Sequence, residues 1–493
     1  MKSVLALDQG TTGSTALIVS QDGAVLGRGY REFTQHYPEA GWVEHDPEEI
    51  IESTLGAARD ALHSAGQVPD AIGITNQRES VVVWDRETGE PLHRVVVWQD
   101  RRTTNRCLQL KRDHGAKFLM ERTGLVWDPY FSGSKIEWLL QHVPGLRGRV
   151  DDGSAVFGTI DSWLIYRLTD GQAFVTDHTN ASRTLLYNIN DFGWDEELLA
   201  LFDVPRESLP DIRNSSDVVG VTAKPVFGAE IPIAGIAGDQ QAALFGQACW
   251  DAGNAKCTFG TGAFLLENVG LNRGAAEESA VLTTVACDSN GAPAYALEGS
   301  VFIAGAAIQW LRDEVGILTT ASESENLAAG LPENGGVYFV PAFVGLGAPF
   351  WEPNARGALF GVTRGTTRAH IVRAALESMA YSVRDVAEAM ETKAGVKLGE
   401  LRVDGGAAAN DWLMQYQADL LGTRVGRPDL VETTALGAAG LAGLAAGVWK
   451  SPAEFAESRT YSWFEPGEPR EREYSQWCRA IGATLHWSHG GDA

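Results

Sequence analysis

The chain has 493 residues, of which 44% are hydrophobic and 21% are charged, and its formal net charge is −24 at pH 7. This composition is typical of a globular protein with a large buried core, and the length favours more than one domain. The negative charge disfavours binding to nucleic acid or to an anionic membrane surface, whose phosphates it would repel. It does not exclude a nucleotide ligand, because local backbone N–H groups and a metal ion can overcome the overall field.

The cysteines and apolar segments indicate the compartment. Five cysteines are scattered along the chain without a CxxC pair, which fits a reducing environment and indicates neither a disulfide framework nor a zinc site. No signal-peptide pattern opens the sequence, and the longest run of small apolar residues, 435–448, is too short and too rich in glycine to span a bilayer. We therefore expect a cytoplasmic protein without membrane insertion.

The first predicted elements are strands joined by glycine turns. Apolar runs at 4–7 and 16–19 flank a turn that contains Gly10 and Gly13, and the hairpin signal at 21–23 leads into a third strand. This strand–turn–strand opening differs from a Rossmann unit, and no GxxxxGK[ST] motif follows it.

A helix is predicted to begin after Asp46. Asp46 is a suitable N-cap, Pro47 suits the first helical position, and Glu49 would complete a capping box. Apolar residues then recur at helical spacing from Ile50 onwards. A fourth strand is predicted at 71–75.

The second half of the sequence repeats this plan loosely. Further strands are predicted at 231–237, 255–259, 263–266, 282–286 and 294–297, and further helices after 238 and at 302–314 and 367–393. The hairpins near 8–15 and 258–264 indicate two related α/β lobes with a cleft between them. We expect the boundary near 246–254.

Three glycine-rich turns follow buried-strand patterns, at 8–14, 259–262 and 403–406. Glycine lacks the Cβ that would keep a phosphate away from the backbone, and neighbouring Thr and Ser hydroxyls add hydrogen-bond donors. One such turn means little. Three of them predict a nucleotide that is held between two halves of a protein.

Two carboxylates are predicted at the edge of this cleft. Asp8 ends the first strand, where a hard oxygen ligand can bind Mg²⁺ directly or through water, although Asp in this position also caps turns. Asp239 follows another buried strand and can accept the hydroxyl proton during phosphoryl transfer. Asp239 can also be the N-cap of the following helix, and the two roles are compatible.

Polar and aromatic side chains at other strand ends suggest an acceptor pocket. Adjacent Arg78 and Glu79 can bind a polyol by donating to and accepting from its hydroxyls, or they can form a surface ion pair. Trp98 and Tyr130 can supply an apolar wall and a hydroxyl, or they can be core aromatics. Asn410, after the third turn, can bond to a base edge or cap a helix.

These residues and the motifs around them resemble the glycerol kinases of the FGGY carbohydrate kinases, within the actin/hexokinase/Hsp70 ATPase superfamily. The similarity extends from about Val4 to the region of Trp487. It is most specific at LALDQGTT (5–12), GITNQRES (73–80), DPYFSGSK (128–135), TDHTNASRTLLYNI (176–189), GIAGDQQAALFGQ (235–247), ALEGSVFIAGAAIQWLRDE (296–314) and RVDGGAAAN (402–410).

The resemblance implies an α/β fold of two ribonuclease-H-like, actin-like ATPase lobes with a catalytic cleft between them. Lobe 1–248 would bind glycerol and supply the base, and lobe 249–493 would form most of the ATP site. The implied activity is that of an ATP:glycerol 3-phosphotransferase, which uses MgATP to make sn-glycerol 3-phosphate in the first step of glycerol catabolism. The implied assembly is a homodimer or a homotetramer.

The resemblance also implies a set of site residues. Glycerol would be bound by Asp8, Arg78, Glu79, Trp98, Tyr130, Asp239, Gln240 and Phe264. ATP would be bound by Thr11, Thr12, Gly13, Thr261, Gly305, Ile308, Gln309, Gly406 and Asn410. Asp239 would be the general base, and Asp8 the carboxylate on the Mg²⁺ side.

Two other functions stay open at this point. One is a kinase for another small polyol or a ketose, although Arg78 and Glu79 with the two aromatics resemble a glycerol pocket rather than a pentulose site. The other is a weakly active nucleotide-binding regulator on the same fold. Its motivation is Thr15, because glycerol kinases usually carry a basic residue at this position. The segment 221–228 lacks the Gly-rich Arg segment that binds fructose 1,6-bisphosphate in enterobacterial members, so we do not expect that control.

Thr15 generates a prediction for nucleotide use. Replacing Thr15 with arginine should raise kcat/KM for ATP, because a cation next to the first glycine turn stabilises the charge of the phosphates. The measurement is the initial rate at varied MgATP and saturating acceptor. An unchanged kcat/KM in Thr15→Arg would contradict this interpretation.

Overall fold

The computed structural model describes residues 1–274 and 280–489. The strands up to residue 238 are β1 (Ser3–Gln9), β2 (Gly13–Ser20), β3 (Val25–Glu32), β4 (Gln35–His36), β5 (Glu44–His45), β6 (Ala71–Asn76), β7 (Val82–Asp85), β8 (Val95–Val96), β9 (Ala155–Gly158), β10 (Val175–Asp177), β11 (Tyr187–Asn188), β12 (Gly193–Trp194), β13 (Asp211–Arg213), β14 (Ser216–Val221) and β15 (Pro232–Gly238). The later strands are β16 (Asn254–Phe259), β17 (Ala263–Gly270), β18 (Leu282–Cys287), β19 (Pro293–Val301), β20 (Tyr338–Val340), β21 (Ala358–Phe360), β22 (Glu400–Asp404), β23 (Val425–Pro428) and β24 (Tyr461–Phe464).

The helices alternate with these strands. They are α1 (Pro47–Ala65), α2 (Thr104–Thr123), α3 (Ser132–His142), α4 (Leu146–Asp151), α5 (Ile160–Leu168), α6 (His178–Ala181), α7 (Glu196–Leu201), α8 (Lys224–Phe227), α9 (Asp239–Gly246), α10 (Gly305–Asp313), α11 (Glu323–Ala329), α12 (Arg368–Ala394), α13 (Asp411–Leu421), α14 (Thr433–Ala445), α15 (Pro452–Glu457) and α16 (Glu471–His489). Short 3₁₀ turns occur at Arg206–Ser208 and Gly406–Ala409. Among the described helices, none combines the length and the apolar character that crossing a membrane requires.

Two large sheets share one topology. The first has the order β14-β15-β6-β1-β2-β3. Its strands β1, β2 and β3 form an antiparallel meander, and β6 and β15 are added parallel to β1. In the second sheet, β16, β17, β19, β22 and β23 repeat these five places with the same strand directions. The prediction of two related α/β lobes built from glycine-turn hairpins is confirmed.

The first strand shows how a lobe is buried. Leu5 and Leu7 of β1 belong to the core layer that includes α1, whereas Val4 and Ala6 belong to the layer that includes α14. Successive side chains of a strand point to opposite faces, so a strand covered on both faces has a continuous apolar sequence. Asp8 is the residue at which this buried run ends and the edge of the sheet opens.

The predicted helix after Asp46 begins at Pro47 as expected, and the Asp46 carboxylate accepts a hydrogen bond from Glu48 N at 2.9 Å. The predicted capping box is wrong. Glu49 Oε2 instead accepts a bond of 2.7 Å from Thr34 N, in the segment between β3 and β4. The tertiary neighbour therefore takes the carboxylate that the local pattern assigned to the helix start.

The helix predicted from 302 begins three residues later, at Gly305. The reason is a contact with the second glycine turn. Ala304 N donates to Thr261 O at 2.8 Å, and Gly305 N donates to Gly260 O at 3.0 Å. These bonds use the first N–H groups of the helix and fix its start against that turn.

The glycine-rich run near 435–448 forms α14, which covers the first sheet although it comes late in the chain. A Cβ at Gly73 of β6 would lie 2.0 Å from Ala438 O, and a Cβ at Gly437 would lie 1.8 Å from Ala242 O of α9. Neither position can therefore accept a side chain at this separation. The glycines allow α14 to approach both the sheet and α9 closely.

This close approach predicts a stability difference between two glycines. Gly437→Ala should lower the free energy of unfolding by about 1–3 kcal/mol or more, because the added methyl group overpacks the contact. Gly482 in α16 is exposed, with nothing within 4 Å of its Cβ position, so it is a matched control. Gly482→Ala should raise stability by about 0.5–1 kcal/mol. Urea unfolding measures both, and equal stabilities would refute the packing argument.

Candidate active site

The first and second glycine turns are each closed by a backbone hydrogen bond between two glycines. In the first, Gly10 N donates to Gly13 O at 2.9 Å, and in the second, Gly260 N donates to Gly262 O at 2.9 Å. Each turn joins the first two strands of its sheet. The bond spans three residues in the first turn and two in the second, so the turns take the same place in each sheet but differ in detail.

Asp8 and Asp239 are close enough for their charges to interact. Asp8 is the penultimate residue of β1, and Asp239 opens α9 directly after β15. Burial and the neighbouring carboxylate of Asp239 raise the pKa of Asp8 to about 7. No described residue forms a hydrogen bond or an ion pair with the Asp8 carboxylate. Two carboxylates whose charges repel each other favour a cation beside them.

Asp239 is held from two sides. Its Oδ1 lies 3.2 Å from Arg78 Nε and accepts a hydrogen bond from its own helix at Gln240 N. The preceding residue, Gly238, donates its N–H to Thr179 Oγ1 at 2.9 Å, and Thr179 in turn donates to Asp177 Oδ2 at 2.8 Å. Gly238, rather than Asp239, is the N-cap of α9, so the alternative interpretation of Asp239 as the N-cap residue is wrong.

Arg78 and Glu79 belong to a fully buried set of four charges, which we call the ion ring. Its other members are Arg183, which follows α6, and Glu298 of β19. Arg78 contacts Glu298 at 2.7 Å, Glu298 contacts Arg183 at 2.9 Å, Arg183 contacts Glu79 at 2.7 Å, and Glu79 lies 3.6 Å from Arg78 Nε. Every side chain in the ring is 3% exposed or less, so the surface ion pair considered from the sequence is wrong.

The ring fixes the charge states of its members. Burial raises the pKa of Glu298, but Arg183 and Arg78 outweigh burial and lower it to about 2. Burial dominates at Glu79 and raises its pKa, against the attraction of both arginines. Among the described residues, none donates a hydrogen bond to Glu79 Oε2. That oxygen is therefore left to accept a bond from a ligand hydroxyl.

The backbone at Glu79 is also unusual. Its φ is +63°, in the left-handed region that non-glycine residues rarely adopt, and its carbonyl accepts a bond of 3.0 Å from Ser132 Oγ. Such a conformation costs about 1–3 kcal/mol and persists only where neighbouring contacts hold it, often at functional sites. Ser132 and the ion ring supply those contacts here.

Two aromatic side chains form a wall next to the ring. The rings of Trp98 and Tyr130 meet edge to face with centroids 5.6 Å apart, and the Tyr130 hydroxyl lies 3.4 Å from Arg78 Nη2. Trp98 Nε1 donates to Thr11 Oγ1 at 3.0 Å and so ties the wall to the first glycine turn. The structure therefore brings Trp98 and Tyr130 to the acceptor cluster.

Gln240 and Phe264 are less closely tied to the other acceptor candidates. Gln240 Oε1 accepts a hydrogen bond from the buried ammonium of Lys256, which also donates to Thr258 Oγ1 at 2.9 Å. Phe264 lies on β17 with 36% of its surface exposed. Within the described residues, no ring contact joins Phe264 to the other acceptor candidates.

The candidates for nucleotide binding meet around the second glycine turn. Thr261 is exposed in this turn, and Gly305 starts α10 in contact with it. Gly405, with φ +86°, lies so close to Phe259 that a Cβ would be 2.5 Å from its carbonyl oxygen, and this contact places Gly406 beside the same turn.

The remaining nucleotide candidates differ in exposure and in how many of their polar atoms are already hydrogen-bonded. On α10, Ile308 is buried and Gln309 is exposed. Asn410 Oδ1 caps α13 by accepting from Leu413 N at 2.9 Å, so the capping alternative is correct for the oxygen. The Asn410 amide nitrogen lies 3.5 Å from Ser324 Oγ and keeps donor capacity. In the first turn, Thr12 is exposed and Gly13 is buried against Tyr30.

The donor set fits a magnesium ion that is bound mainly by a nucleotide. Mg²⁺ usually keeps several waters and takes one or two carboxylates together with substrate phosphates. The unpartnered Asp8 carboxylate beside Asp239 provides this number of protein ligands. Among the described residues, no group of three or more His, Cys, Asp or Glu side chains could bind a metal ion alone.

Sequence reasoning missed Arg183, Glu298, Lys256 and Thr179 as site residues. Thr179, Arg183 and Glu298 lie in motifs that carried the resemblance, and Lys256 lies in the strand before the second glycine turn, but chain position alone assigns no chemistry to them. Glu298 and Arg183 are separated from Arg78 by 220 and 105 positions. Only the packing of one lobe against the other reveals that these charges neutralise each other.

The family comparison covers most of the chain. Residues 3–246 match the N-terminal domain, and residues 255–446 the C-terminal domain, of the FGGY family of carbohydrate kinases. A glycerol kinase 2 from Thermotoga maritima is 55% identical over 99% of both chains. A glycerol kinase from Dechloromonas aromatica is 55% identical over 99% of this chain and 98% of that protein.

Solved structures agree with the observed architecture. A glycerol kinase from Plasmodium falciparum with ADP superposes with a TM-score of 0.94 at 36% identity and covers 98% of each chain. A xylulose kinase from Lactobacillus acidophilus superposes with a TM-score of 0.85 at 21% identity, covering 99% of this chain and 97% of that one. The second likeness concerns the fold alone. The predicted fold class is confirmed.

The bond from Gly238 to Thr179 yields a prediction about backbone order. Thr179→Val removes the hydroxyl that accepts from Gly238 N, and losing about 1 kcal/mol of hydrogen bonding should speed amide exchange at Gly238 roughly fivefold. Thr176→Val is the matched control, because Thr176 is also buried and donates to a carboxylate, that of Asp161, at 2.6 Å. Hydrogen exchange of the segment 232–246 reports the difference. Equal exchange in both variants would show that Thr179 does not hold this turn.

Proposed function

The chain belongs to the FGGY family of carbohydrate kinases, and we propose that it transfers the γ-phosphoryl group of ATP to glycerol, giving sn-glycerol 3-phosphate and ADP. The observation that carries the proposal is the contact of 3.2 Å between Arg78 and Asp239, which joins the proposed polyol-binding pair, Arg78 and Glu79, to the proposed base. The full-length similarity to proteins named glycerol kinase supports the same acceptor.

The acceptor would bind at the ion ring. Arg78 donates to one hydroxyl, and Glu79 Oε2, which no described residue uses, accepts from another. Tyr130 and Trp98 cover the carbon skeleton. Arg78 and Glu79 are buried, so a substrate that lacked a matching hydroxyl would leave a polar group unpaired, which costs about 1–3 kcal/mol. Gln240 and Phe264 complete the proposed acceptor set.

Asp239 is the proposed general base. Its carboxylate accepts the proton of the terminal hydroxyl while that oxygen forms a bond to the γ-phosphorus, and the bond from phosphorus to the β,γ-bridging oxygen breaks in line. ADP carries away the electron pair of the broken bond, and Asp239 holds the proton. Arg78 and the Gly238–Thr179 bond keep the base in place during this step.

ATP would lie between the two glycine turns. Thr11, Thr12 and Gly13 supply donors from the first lobe, and the second lobe supplies the remaining members of the set, Thr261, Gly305, Ile308, Gln309, Gly406 and Asn410. Asp8, directly or through water, would hold Mg²⁺ on the phosphate side. A bound Mg²⁺ neutralises charge on the β- and γ-phosphates.

The proposal extends to organisation and location. We assign acceptor binding and the base to 1–248 and most of the nucleotide site to 249–493, with α14 returning to the first sheet. We also propose a cytoplasmic homodimer or homotetramer.

The test is ADP release with MgATP and glycerol, erythritol, dihydroxyacetone, xylulose or no acceptor. Glycerol should give the highest kcat/KM. Asp239→Asn should lower kcat by roughly 10²–10⁴-fold, because the variant cannot accept the proton. Asp251→Asn is the control, since Asp251 is exposed outside the cleft, and its rate should not change.

Other results would redirect the proposal. Turnover of a different acceptor with none of glycerol would keep the kinase and overturn the acceptor. ATP binding without release of ADP for any acceptor would favour the nucleotide-binding regulator. Full activity of Asp239→Asn would remove Asp239 as the base.

A further inference from the structure

We propose that Glu298, which belongs to the second lobe, is a positioning residue. It would set the geometry of Arg78 and Glu79, which bind the phosphoryl acceptor, and of the base Asp239. This inference rests on the proposed function, because it concerns the same acceptor site. Glu298 lies on β19 of the second sheet, whereas Arg78 and Glu79 follow β6 of the first sheet. It is thus the member of the ion ring that the other lobe contributes.

The contacts of Glu298 divide between the two arginines. Its Oε2 accepts from Arg78 Nη1 at 2.7 Å, and its Oε1 accepts from Arg183 Nη2 at 2.9 Å. Arg183 then holds Glu79 through Nε at 2.7 Å. The Glu298 carboxylate therefore orients Arg78 directly and orients Glu79 through Arg183.

Charge balance makes this arrangement sensitive. Two arginines and two glutamates give the ring no net charge, which is the condition under which buried charges are tolerated. Without the Glu298 carboxylate, Arg78 and Arg183 would share a single buried partner in Glu79 and would repel each other. Arg78 can then relax only towards its remaining anionic neighbour in the cleft, Asp239.

The base moves with Arg78 because the two are packed together. A Cβ at Gly238 would lie 2.7 Å from both Arg78 Cγ and Cδ, so the arginine stem lies against the backbone that carries Asp239. Arg78 Nε also contacts Asp239 Oδ1 at 3.2 Å. A shift of Arg78 therefore displaces both the polyol donor and the proton acceptor.

This geometry couples acceptor binding to the relative position of the lobes. The ring closes only when β19 is at its observed distance from the end of β6. A bound acceptor requires oriented Arg78 and Glu79, so it favours this position of the second lobe relative to the first. The second lobe also carries most of the proposed nucleotide site. The nucleotide contacts themselves do not include Glu298.

The experiment compares Glu298→Gln with Glu267→Gln. Glu267 is a buried glutamate on β17 of the same sheet, and burial with the nearby Glu391 raises its pKa to about 8, so its neutral form is close to glutamine. We expect Glu298→Gln to lower kcat/KM for glycerol by roughly 30-fold or more, since truncating one partner of a buried charge pair has effects of that size. Kd for ATP, measured without acceptor, should change by less than about twofold, and Glu267→Gln should retain both constants.

A second variant protects the test against a folding defect. Arg183→Gln removes the opposite charge, and Arg183→Gln combined with Glu298→Gln makes the ring neutral again. We expect the double variant to lose less than the product of the two single losses, because the members of one charged network do not act independently. If Glu298→Gln fails to fold, the double variant is compared with Arg183→Gln: a smaller loss of kcat/KM for glycerol in the double variant would support the positioning role, and an equal or larger loss would overturn it.

The outcomes separate the two proposals. Wild-type kcat/KM for glycerol in Glu298→Gln, or equal losses of ATP and glycerol affinity, would overturn the positioning role while leaving the proposed function intact. Independent losses in the double variant would also overturn it. A wild-type protein that turned over no polyol would overturn the proposed function and this inference together.

Discussion

Burial of the Arg78 guanidinium is the constraint on which the rest of the cleft depends. A cation removed from water needs anionic partners with good geometry, and no single element of this fold could supply them. Glu298 comes from the second sheet, Glu79 from the next position in the chain and Asp239 from the start of α9. Satisfying one arginine thus brings together the strand ends that form the site.

The repeated sheet explains why the site lies between the lobes. In each lobe the first two strands are joined by a tight glycine turn, and the parallel strands added next to them end on the same side. The carboxyl ends of parallel strands form the usual binding edge in α/β folds. Two such sheets therefore each contribute a glycine turn and strand ends to the space between the lobes.

Close backbone packing holds the two lobes in register. Helix α14 leaves the second half of the chain and covers the first sheet, and α9 packs against it where Gly437 meets Ala242. At these contacts backbone lies directly on backbone. A helix held this closely transmits displacement rather than absorbing it, because packed interiors are close to incompressible. The same α9 carries Asp239 at its first residue, so the interlobe packing and the proposed base share one element.

Much of the local structure could be predicted from the sequence. The strands at 4–7 and 71–75 were found because buried strands have continuous apolar runs, and the glycine turns because only glycine permits that backbone approach. The failures were tertiary in origin. Glu49 accepts a hydrogen bond from Thr34 instead of from its own helix start. Helix α10 begins at Gly305, later than predicted, because its first N–H groups bond to the second glycine turn.

The sequence by itself determined the two-lobed plan, the glycine turns and the chemical types at their ends, because these depend on periodicity and on side-chain chemistry within a few residues. The sequence and the structure both support the roles proposed for Asp8, Asp239, Arg78 and Glu79. Only the tertiary structure decided that Arg78 and Glu79 are buried and that Glu298 and Arg183 are their ion-pair partners. The reason is physical: neutralising buried charge depends on distances in space, and partners far apart in the chain leave no local pattern.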